Sequence, residues 1–308
     1  MGEGLLAALN ERPRFASLTS EDLEPLPATG TAHGHVRLPD GLIARVAYAY
    51  EGDAGAAVRL DTQAAAFRLL APSKCTPLLH DILPPRAGLP GGALIVDRIV
   101  GHAPVLPRDL GAMATSLAAM HSLPKPAGTS PISRQEDPFL ETLEVVEQNA
   151  RRFLDQAVPD PGARADVADE LPGGTAWFVD LEKVHVGAPA IDLAHATLPT
   201  STLWHPDVGQ ILTRGQVAGF YAHYLARIGE ARAAELEPWL MPMRRLTWLR
   251  TTMFMARWRV QTRQPRDPGD PGQWSDAGLE PAMKLHLQAR IDECFDRDAI
   301  HRIRAEWL

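Results

Sequence analysis

The 308-residue sequence has few cysteines and no long apolar run. Its two cysteines, Cys75 and Cys294, lie far apart, and neither has a second cysteine or a histidine at metal-site spacing. This usage disfavours a disulfide framework and indicates reduced thiols in a cytoplasmic protein. No apolar stretch is long enough to span a bilayer, and the N-terminus lacks the basic and apolar regions of a secretory signal. We therefore expect a cytoplasmic location and no membrane partner.

Basic residues are also fewer than acidic ones. The chain carries 31 Lys and Arg against 38 Asp and Glu, a formal net charge of −7. A net negative charge disfavours a general role on nucleic acid or anionic membrane, so we expect no nucleic-acid partner. It leaves room for a local basic groove that binds a small anion. The length suffices for one large domain or for two lobes with a substantial core.

A pair of carboxylates stands at the end of a predicted strand. Residues 175–179 are β-branched and aromatic, which predicts a short buried strand that ends at Asp180 and Glu182. Hard cations such as Mg²⁺ bind one or two such carboxylates together with phosphate oxygens. Asp192 precedes an apolar run and is a candidate helix cap. The alternative is a strand, a turn and a cap whose acids are merely solvated.

The N-terminal part predicts a hairpin followed by a helix. Asp40-Gly41 between apolar runs is a strong hairpin signal. Gly34 lies in the preceding loop, where a bare backbone can approach a phosphate. Arg45, on the second strand, can bind two phosphate oxygens through its guanidinium fork, the alternative being a solvated strand residue. Gln63 falls in the amphipathic helix predicted over 61–70.

Helices dominate the remainder of the sequence. Residues 110–121 form an amphipathic helix that ends at His121, which we interpret as a buried, hydrogen-bonded histidine at the helix end. Asp137-Pro138 is typical of a capped helix start. The predicted helix over 239–260 carries a basic strip, interpreted as a solvated face or an acid-facing wall of a cleft: Arg244, Arg245, Arg250, Arg257 and Arg259.

In this order the segments resemble the aminoglycoside phosphotransferase and choline kinase family, which has a protein-kinase-like fold. The specific motif is 177–195, where two carboxylates are followed by Gly-x-Pro and Asp-Leu-Ala. The resemblance implies an α+β, two-lobe architecture. Residues 1–100 would form a nucleotide-binding lobe with a small antiparallel sheet. Residues 101–308 would form a mainly helical lobe that contains the metal-binding segment.

The resemblance also implies roles and cofactors. Asp180 would bind the Mg²⁺ that bridges the phosphates of ATP, and Asp192 would support the catalytic loop. Arg45 would bind the phosphates, and Gly34 would lie in the loop that covers ATP. Gln63 occupies the place of a family glutamate that pairs with this cation, and a neutral amide can orient Arg45 only by a hydrogen bond. The acceptor would be a hydroxyl group on an unidentified small molecule.

The family's catalytic loop, His-Gly-Asp-x-x-x-x-Asn, is not found before Asp180. Asp160 and Asp166 are the nearest candidates, but neither has a histidine two positions earlier or an asparagine five positions later. Three alternatives remain: a kinase fold that has lost catalysis, a loop missing between Leu171 and Thr175, or a different residue in the role.

Three functional hypotheses are therefore kept, two from the resemblance and one from the acidic and histidine residues themselves. The first is an ATP-dependent phosphotransferase that acts on a small-molecule hydroxyl, in degenerate form if the loop is lost. The second is a non-catalytic, pseudokinase-type binding module. The third, weaker hypothesis is a metal-dependent hydrolase built on Asp180, Glu182, His185 and His195. No histidine pair at the helical zinc spacing supports the third one.

Overall fold

The structure, a computed structural model, describes residues 2–27, 33–49, 53, 55–126, 130–168, 185–265, 273–276 and 279–307. The strand predicted over 175–179, the two carboxylates Asp180 and Glu182, and the interval from Leu171 to Thr175 lie outside these ranges. The predictions made for them therefore stay predictions.

A five-stranded antiparallel sheet forms the N-terminal part, in the order β1-β2-β3-β5-β4. Its strands are β1 (Glu24–Pro25), β2 (His33–Leu38), β3 (Leu42–Ala47), β4 (Leu79–Leu83) and β5 (Ala93–Asp97). Asp40 and Gly41 both have positive φ, 58° and 70°, as the tight turn between β2 and β3 requires. The predicted hairpin is confirmed.

Each face of this sheet is covered by one helix. Helix α1 (Gly2–Asn10) packs on one face, where Leu5 and Leu9 meet alternate residues of β3 and β5. Helix α2 (Ala56–Leu70) covers the other face, where Phe67 packs near Leu94. Because side chains alternate along a strand, Arg45 and Leu94, which are paired in register, both lie on the α2 face.

Within the described ranges, the part that follows β5 is mainly helical, with a two-residue parallel pair, β6 (Ser133–Arg134) and β7 (His185–Val186). The helices are α3 (Leu110–His121), α4 (Pro138–Ala157), α5 (Pro161–Ala168), α6 (Ala190–His195), α7 (Pro199–Thr202), α8 (Arg214–Ile228), α9 (Glu230–Leu236), α10 (Leu240–Thr262), α11 (Pro281–Cys294) and α12 (Arg297–Arg304). The backbone N–H of Leu140 donates to Asp137 Oδ1 at 3.1 Å, which confirms the predicted helix start.

Helix α10 lies at the centre of this part and packs against α4, α6 and α11. Its apolar residues are buried on several sides, which is typical of a core helix. Its threonines satisfy their hydroxyls within the helix, as Thr247 does by donating to the carbonyl of Met243 at 2.7 Å. None of the helices in the described ranges is long and apolar enough to cross a membrane.

The predicted solvated basic strip on α10 is wrong. Arg244 is 1% exposed, and the other four arginines of the strip are half-buried. Arg244 donates from Nε to Glu306 at 2.6 Å and from Nη1 to Thr197 at 2.8 Å. Its charge is therefore matched inside the core, and it does not line a cleft.

The observed architecture is the predicted α+β class, with a small antiparallel sheet followed by a helical part. The boundary placed between residues 1–100 and 101–308 stays a prediction.

Candidate functional site

The predicted phosphate-binding cation lies on the α2 face of the sheet. Arg45 on β3 stands opposite His35 of β2 in register. Its Nη2 donates to Nδ1 of His33, at 3.1 Å. The guanidinium is therefore held in place by a strand neighbour as well as by its own backbone.

Gln63 of α2 is buried beside His33. Burial, followed by the charges of Arg45 and His35, lowers the pKa of His33 to about 4. A neutral imidazole has a free lone pair on one nitrogen, so it can accept the hydrogen bond from Arg45. The expected hydrogen bond from Gln63 to Arg45 stays a prediction. The residue that Arg45 contacts is His33, which the sequence did not single out.

The sequence predicted that Gly34 lies in a loop, and this prediction is wrong. It is the second residue of β2, where it is buried and pairs with Val46. Residues 28–32, which precede this strand, lie outside the described ranges. A contact between Gly34 and a nucleotide stays a prediction.

A second polar cluster joins three helices. His121, the last residue of α3, lies with Nε2 2.8 Å from Oδ2 of Asp192 in α6. Its Nδ1 lies 2.9 Å from the hydroxyl of Tyr224 in α8. The side chains of His121 and Asp192 are 17% and 13% exposed. This arrangement confirms the interpretation of His121 as a hydrogen-bonded histidine at a helix end.

Asp192 is not the helix cap that the sequence predicted. Pro189 precedes the first residue of α6, and Asp192 lies inside the first turn with its carboxylate directed to His121. Burial raises the pKa of Asp192, while the hydrogen bond from His121 and the charge of Arg250 act in the opposite direction. Its other oxygen, Oδ1, is buried and has no hydrogen-bond partner within the described part of the chain.

The two candidates for the missing catalytic carboxylate, Asp160 and Asp166, form structural hydrogen bonds. Asp160 accepts a hydrogen bond from the backbone N–H of Ala163 at 2.6 Å and so caps α5. Asp166 accepts from His301 Nε2 at 3.0 Å and from Arg304 Nη1 at 2.8 Å, which ties α5 to α12. Both carboxylates have structural partners, so neither is positioned as a group that orients a substrate hydroxyl.

The structure describes only some of the residues on which the hydrolase hypothesis is built. His195 lies in α6 with Nδ1 2.7 Å from the hydroxyl of Ser201. Burial, with the nearby charge of Arg250, lowers the pKa of His195 to about 4. Asp180 and Glu182 lie outside the described ranges, as does the side chain of His185. Within those ranges, no group of three His, Cys, Asp or Glu side chains could hold a metal ion.

Comparison with known proteins gives matches at the level of structure. Neither the models of protein families nor the curated proteins contain a match. The GDP complex of wild-type aminoglycoside 2'-phosphotransferase-IIIa is 12% identical, with a TM-score of 0.56, and the match covers 98% of this chain and 99% of that one. The GDP and kanamycin complex of APH(2")-IIia is 13% identical, with a TM-score of 0.53 and 96% of each chain covered.

An ethanolamine kinase from Plasmodium vivax is also similar, at 9% identity and a TM-score of 0.51, with 93% of this chain and 85% of that chain covered. Identities this low establish the fold alone. The chain therefore has the two-lobe, kinase-like α+β fold that the sequence resemblance predicted.

Proposed function

We propose that the chain binds ATP between its lobes and transfers the terminal phosphate to a hydroxyl group of a small molecule. The observation that carries this proposal is the hydrogen bond between Arg45 and His33, which holds a cation on the α2 face of the sheet beside the buried Gln63. Two of the similar structures hold GDP, so this fold accommodates a nucleotide. One of these two complexes also contains kanamycin, a small-molecule ligand.

In this proposal the residues divide between nucleotide and metal. Arg45 binds phosphate oxygens, because guanidinium forms paired, charge-assisted hydrogen bonds with them. His33 and Gln63 position Arg45, and Gly34 supports the loop above the nucleotide. Asp180 binds Mg²⁺, which when bound neutralises charge on the phosphate oxygens.

Asp192 and His121 serve as a support for the segment that leads to Asp180. The buried Oδ1 of Asp192 can accept a hydrogen bond from a backbone N–H of that segment. A fixed carboxylate at this place would position the segment that leads to Asp180 without contacting the reacting groups.

A second function, a non-catalytic nucleotide-binding module, is favoured by one observation. Asp160 and Asp166 both serve structural contacts, so neither of the nearest substitutes can orient the acceptor hydroxyl. A phosphotransferase that lacks this carboxylate keeps only positioning and electrostatic stabilisation. The cytoplasmic location and the lack of a nucleic-acid or membrane partner stay predictions under either function.

Thermal unfolding with Mg-ATP and Mg-GTP tests both functions. A ligand at about 100 times its Kd stabilises the folded state by about 2.7 kcal/mol. We expect a concentration-dependent rise in Tm that Arg45→Met weakens by about tenfold or more in apparent Kd, since it removes a charge-assisted hydrogen bond. Asp180→Ala should abolish the dependence on Mg²⁺.

Arg86→Met is the matched control, because Arg86 pairs with Glu11 beside α1 and not on the α2 face. It should bind nucleotide as the unmodified protein does. Nucleotide consumption with a panel of hydroxyl compounds then distinguishes the enzyme from the module. No rise in Tm at millimolar nucleotide would contradict both functions.

A further inference from the structure

A cavity of about 500 Å³ lies among the C-terminal helices α7, α10, α11 and α12. Its volume is within the roughly 300–1,000 Å³ typical of small-molecule sites. Most of its wall is apolar, including Leu203, Trp204, Trp248, Met255, Ile291 and Ile303. An apolar wall of this size favours a ligand with a substantial hydrocarbon part.

The cavity is separate from the proposed phosphotransfer site. On α10, Trp248 and Met255 line the cavity, whereas the charge of Arg250 acts on Asp192. Two residues along an α-helix correspond to a rotation of about 200°, so Trp248 and Arg250 point to nearly opposite sides of the helix. The body of α10 therefore stands between the cavity and Asp192.

The cavity wall is chemically inert at its cysteine. Burial, followed by the charge of Glu293, raises the pKa of Cys294 to about 12. The thiol stays protonated at neutral pH, and a protonated thiol is a poor nucleophile. Cys294 thus contributes a small hydrophobic surface to the wall and no reactive group.

The charged residues around the cavity leave an excess of positive charge. Glu306 accepts from Arg244 in the core, and Glu293 forms an ion pair with Arg290. Arg214 donates to the backbone carbonyl of Glu306 at 2.8 Å, a neutral acceptor. Arg302 is exposed, and it forms no ion pair with a residue of the described ranges.

We propose that this cavity binds one linear alkyl carboxylate, with the chain against the apolar wall and the carboxylate at Arg214 and Arg302. An anionic head matches the two cations that the neighbouring acids leave uncompensated, and guanidinium binds carboxylates through paired hydrogen bonds. The site does not depend on the proposed phosphotransfer, since α10 separates the two.

A chain-length series tests the apolar part of the site. Hexanoate, octanoate and decanoate are titrated into the full chain below their micelle concentrations, followed by calorimetry and by the fluorescence of the lining residues Trp204 and Trp248. We expect one ligand per chain and a Kd that tightens by about tenfold for each two methylene groups. No saturable binding by decanoate, or several ligands per chain, would overturn the proposal.

Variants and neutral analogues test the head group. Arg302→Glu should weaken decanoate binding by about tenfold, because it replaces a charge-assisted contact by repulsion. Arg152→Glu is the matched control, an exposed arginine on α4 that does not line the cavity, and should bind decanoate normally. 1-Decanol should bind at least about tenfold more weakly than decanoate; equal binding would refute the anionic ligand.

A variant that fills the cavity provides an independent test of the proposed site. Ala299 lines it near the start of α12, so Ala299→Phe should abolish binding while the Asp296 cap on its backbone N–H is kept. A folded Ala299→Phe protein that binds decanoate with unchanged Kd would overturn the proposal. If this variant does not fold, Arg302→Glu and 1-decanol still decide, because Arg302 is exposed and its replacement disturbs no core contact.

Discussion

His121 Nε2 lies 2.8 Å from Asp192 Oδ2, so the end of α3 is joined to the first turn of α6 across 71 residues of sequence. The other ring nitrogen of His121 is 2.9 Å from the Tyr224 hydroxyl. With both nitrogens engaged, the imidazole has one orientation, and it connects three helices around one buried carboxylate. Burial makes the pair costly to break, because a carboxylate left alone in the interior loses its compensation.

The first prediction concerns this pair. We expect His121→Phe to lower the free energy of unfolding by about 3 kcal/mol, since it leaves the Asp192 carboxylate without its donor. Asp192→Asn should cost less, about 1 kcal/mol, because the amide keeps an acceptor oxygen and removes the buried charge. Urea denaturation at pH 7 measures both values.

His223→Phe is the control for these variants. His223 also lies on α8, but it is partly exposed, and its ring is bonded only to the neutral hydroxyl of Thr115, at 3.2 Å, in the described contacts. Its replacement should change the free energy of unfolding by less than about 1 kcal/mol, since it strands no buried charge. A cost of His121→Phe as small as this would show that the pair does not stabilise the fold.

Sequence signals from neighbouring residues were sufficient to predict the β2–β3 turn and the start of α4. Asp40-Gly41 predicts the β2–β3 turn because both residues tolerate positive φ, and the structure has both there. Asp137 predicts the start of α4 because its side chain can accept from the first free N–H groups. In each case the residues that decide the geometry are neighbours in sequence.

The incorrect predictions fall where tertiary contacts decide. The spacing of Arg244 indicates a solvated strip, but its partner Glu306 is 62 residues away in sequence. Nothing local singles out His33, because its hydrogen bond with Arg45 joins β2 to β3. Asp192 has the composition of a cap, yet a donor from α3 captures its carboxylate. No periodicity or spacing in the sequence encodes these distant partners.

The second prediction concerns acid. Burial, with the charge of Arg250, lowers the pKa of His195 from 6.5 to about 4 in the folded state. The unfolded chain therefore binds more protons than the folded one between these two values, and stability rises with pH across this window. The stabilisation present above pH 6.5 is lost as the pH falls, by about 2 kcal/mol between pH 7 and pH 5.

Urea denaturation at pH 7, 6 and 5 measures this dependence. His195→Gln cannot titrate, so its loss of stability over this range should be smaller than that of the unmodified protein by about 2 kcal/mol. Parallel slopes for the His195→Gln and unmodified proteins would refute the burial of this imidazole.

The third prediction concerns the C-terminus. Glu306 accepts a hydrogen bond from the buried Arg244 at 2.6 Å, and its backbone carbonyl accepts one from Arg214. Removing residues 306–308 leaves the Arg244 charge in the core without its carboxylate. We expect a loss of about 3 kcal/mol or more in the free energy of unfolding.

Glu306→Gln separates charge from packing in the same experiment. It keeps an acceptor oxygen and the backbone contact, so its cost should be smaller, about 1–2 kcal/mol. Arg244→Met combined with Glu306→Gln removes both charges. This double variant should therefore be more stable than the truncated protein, in which the Arg244 charge has lost its carboxylate. A truncated protein as stable as the full chain would contradict the buried ion pair.

The last prediction contrasts two glycines. A Cβ at Gly91 would lie 2.0 Å from the backbone carbonyl oxygen of Ala47, so β3 and the turn before β5 would have to separate. Gly219 is exposed within α8, and a Cβ there would meet nothing within 4 Å. We expect Gly91→Ala to cost about 2 kcal/mol or more through overpacking, and Gly219→Ala to stabilise by about 0.5–1 kcal/mol through reduced backbone entropy. Urea denaturation of the two single variants checks both signs, and a Gly91→Ala protein as stable as Gly219→Ala would show that the backbones do not meet at this distance.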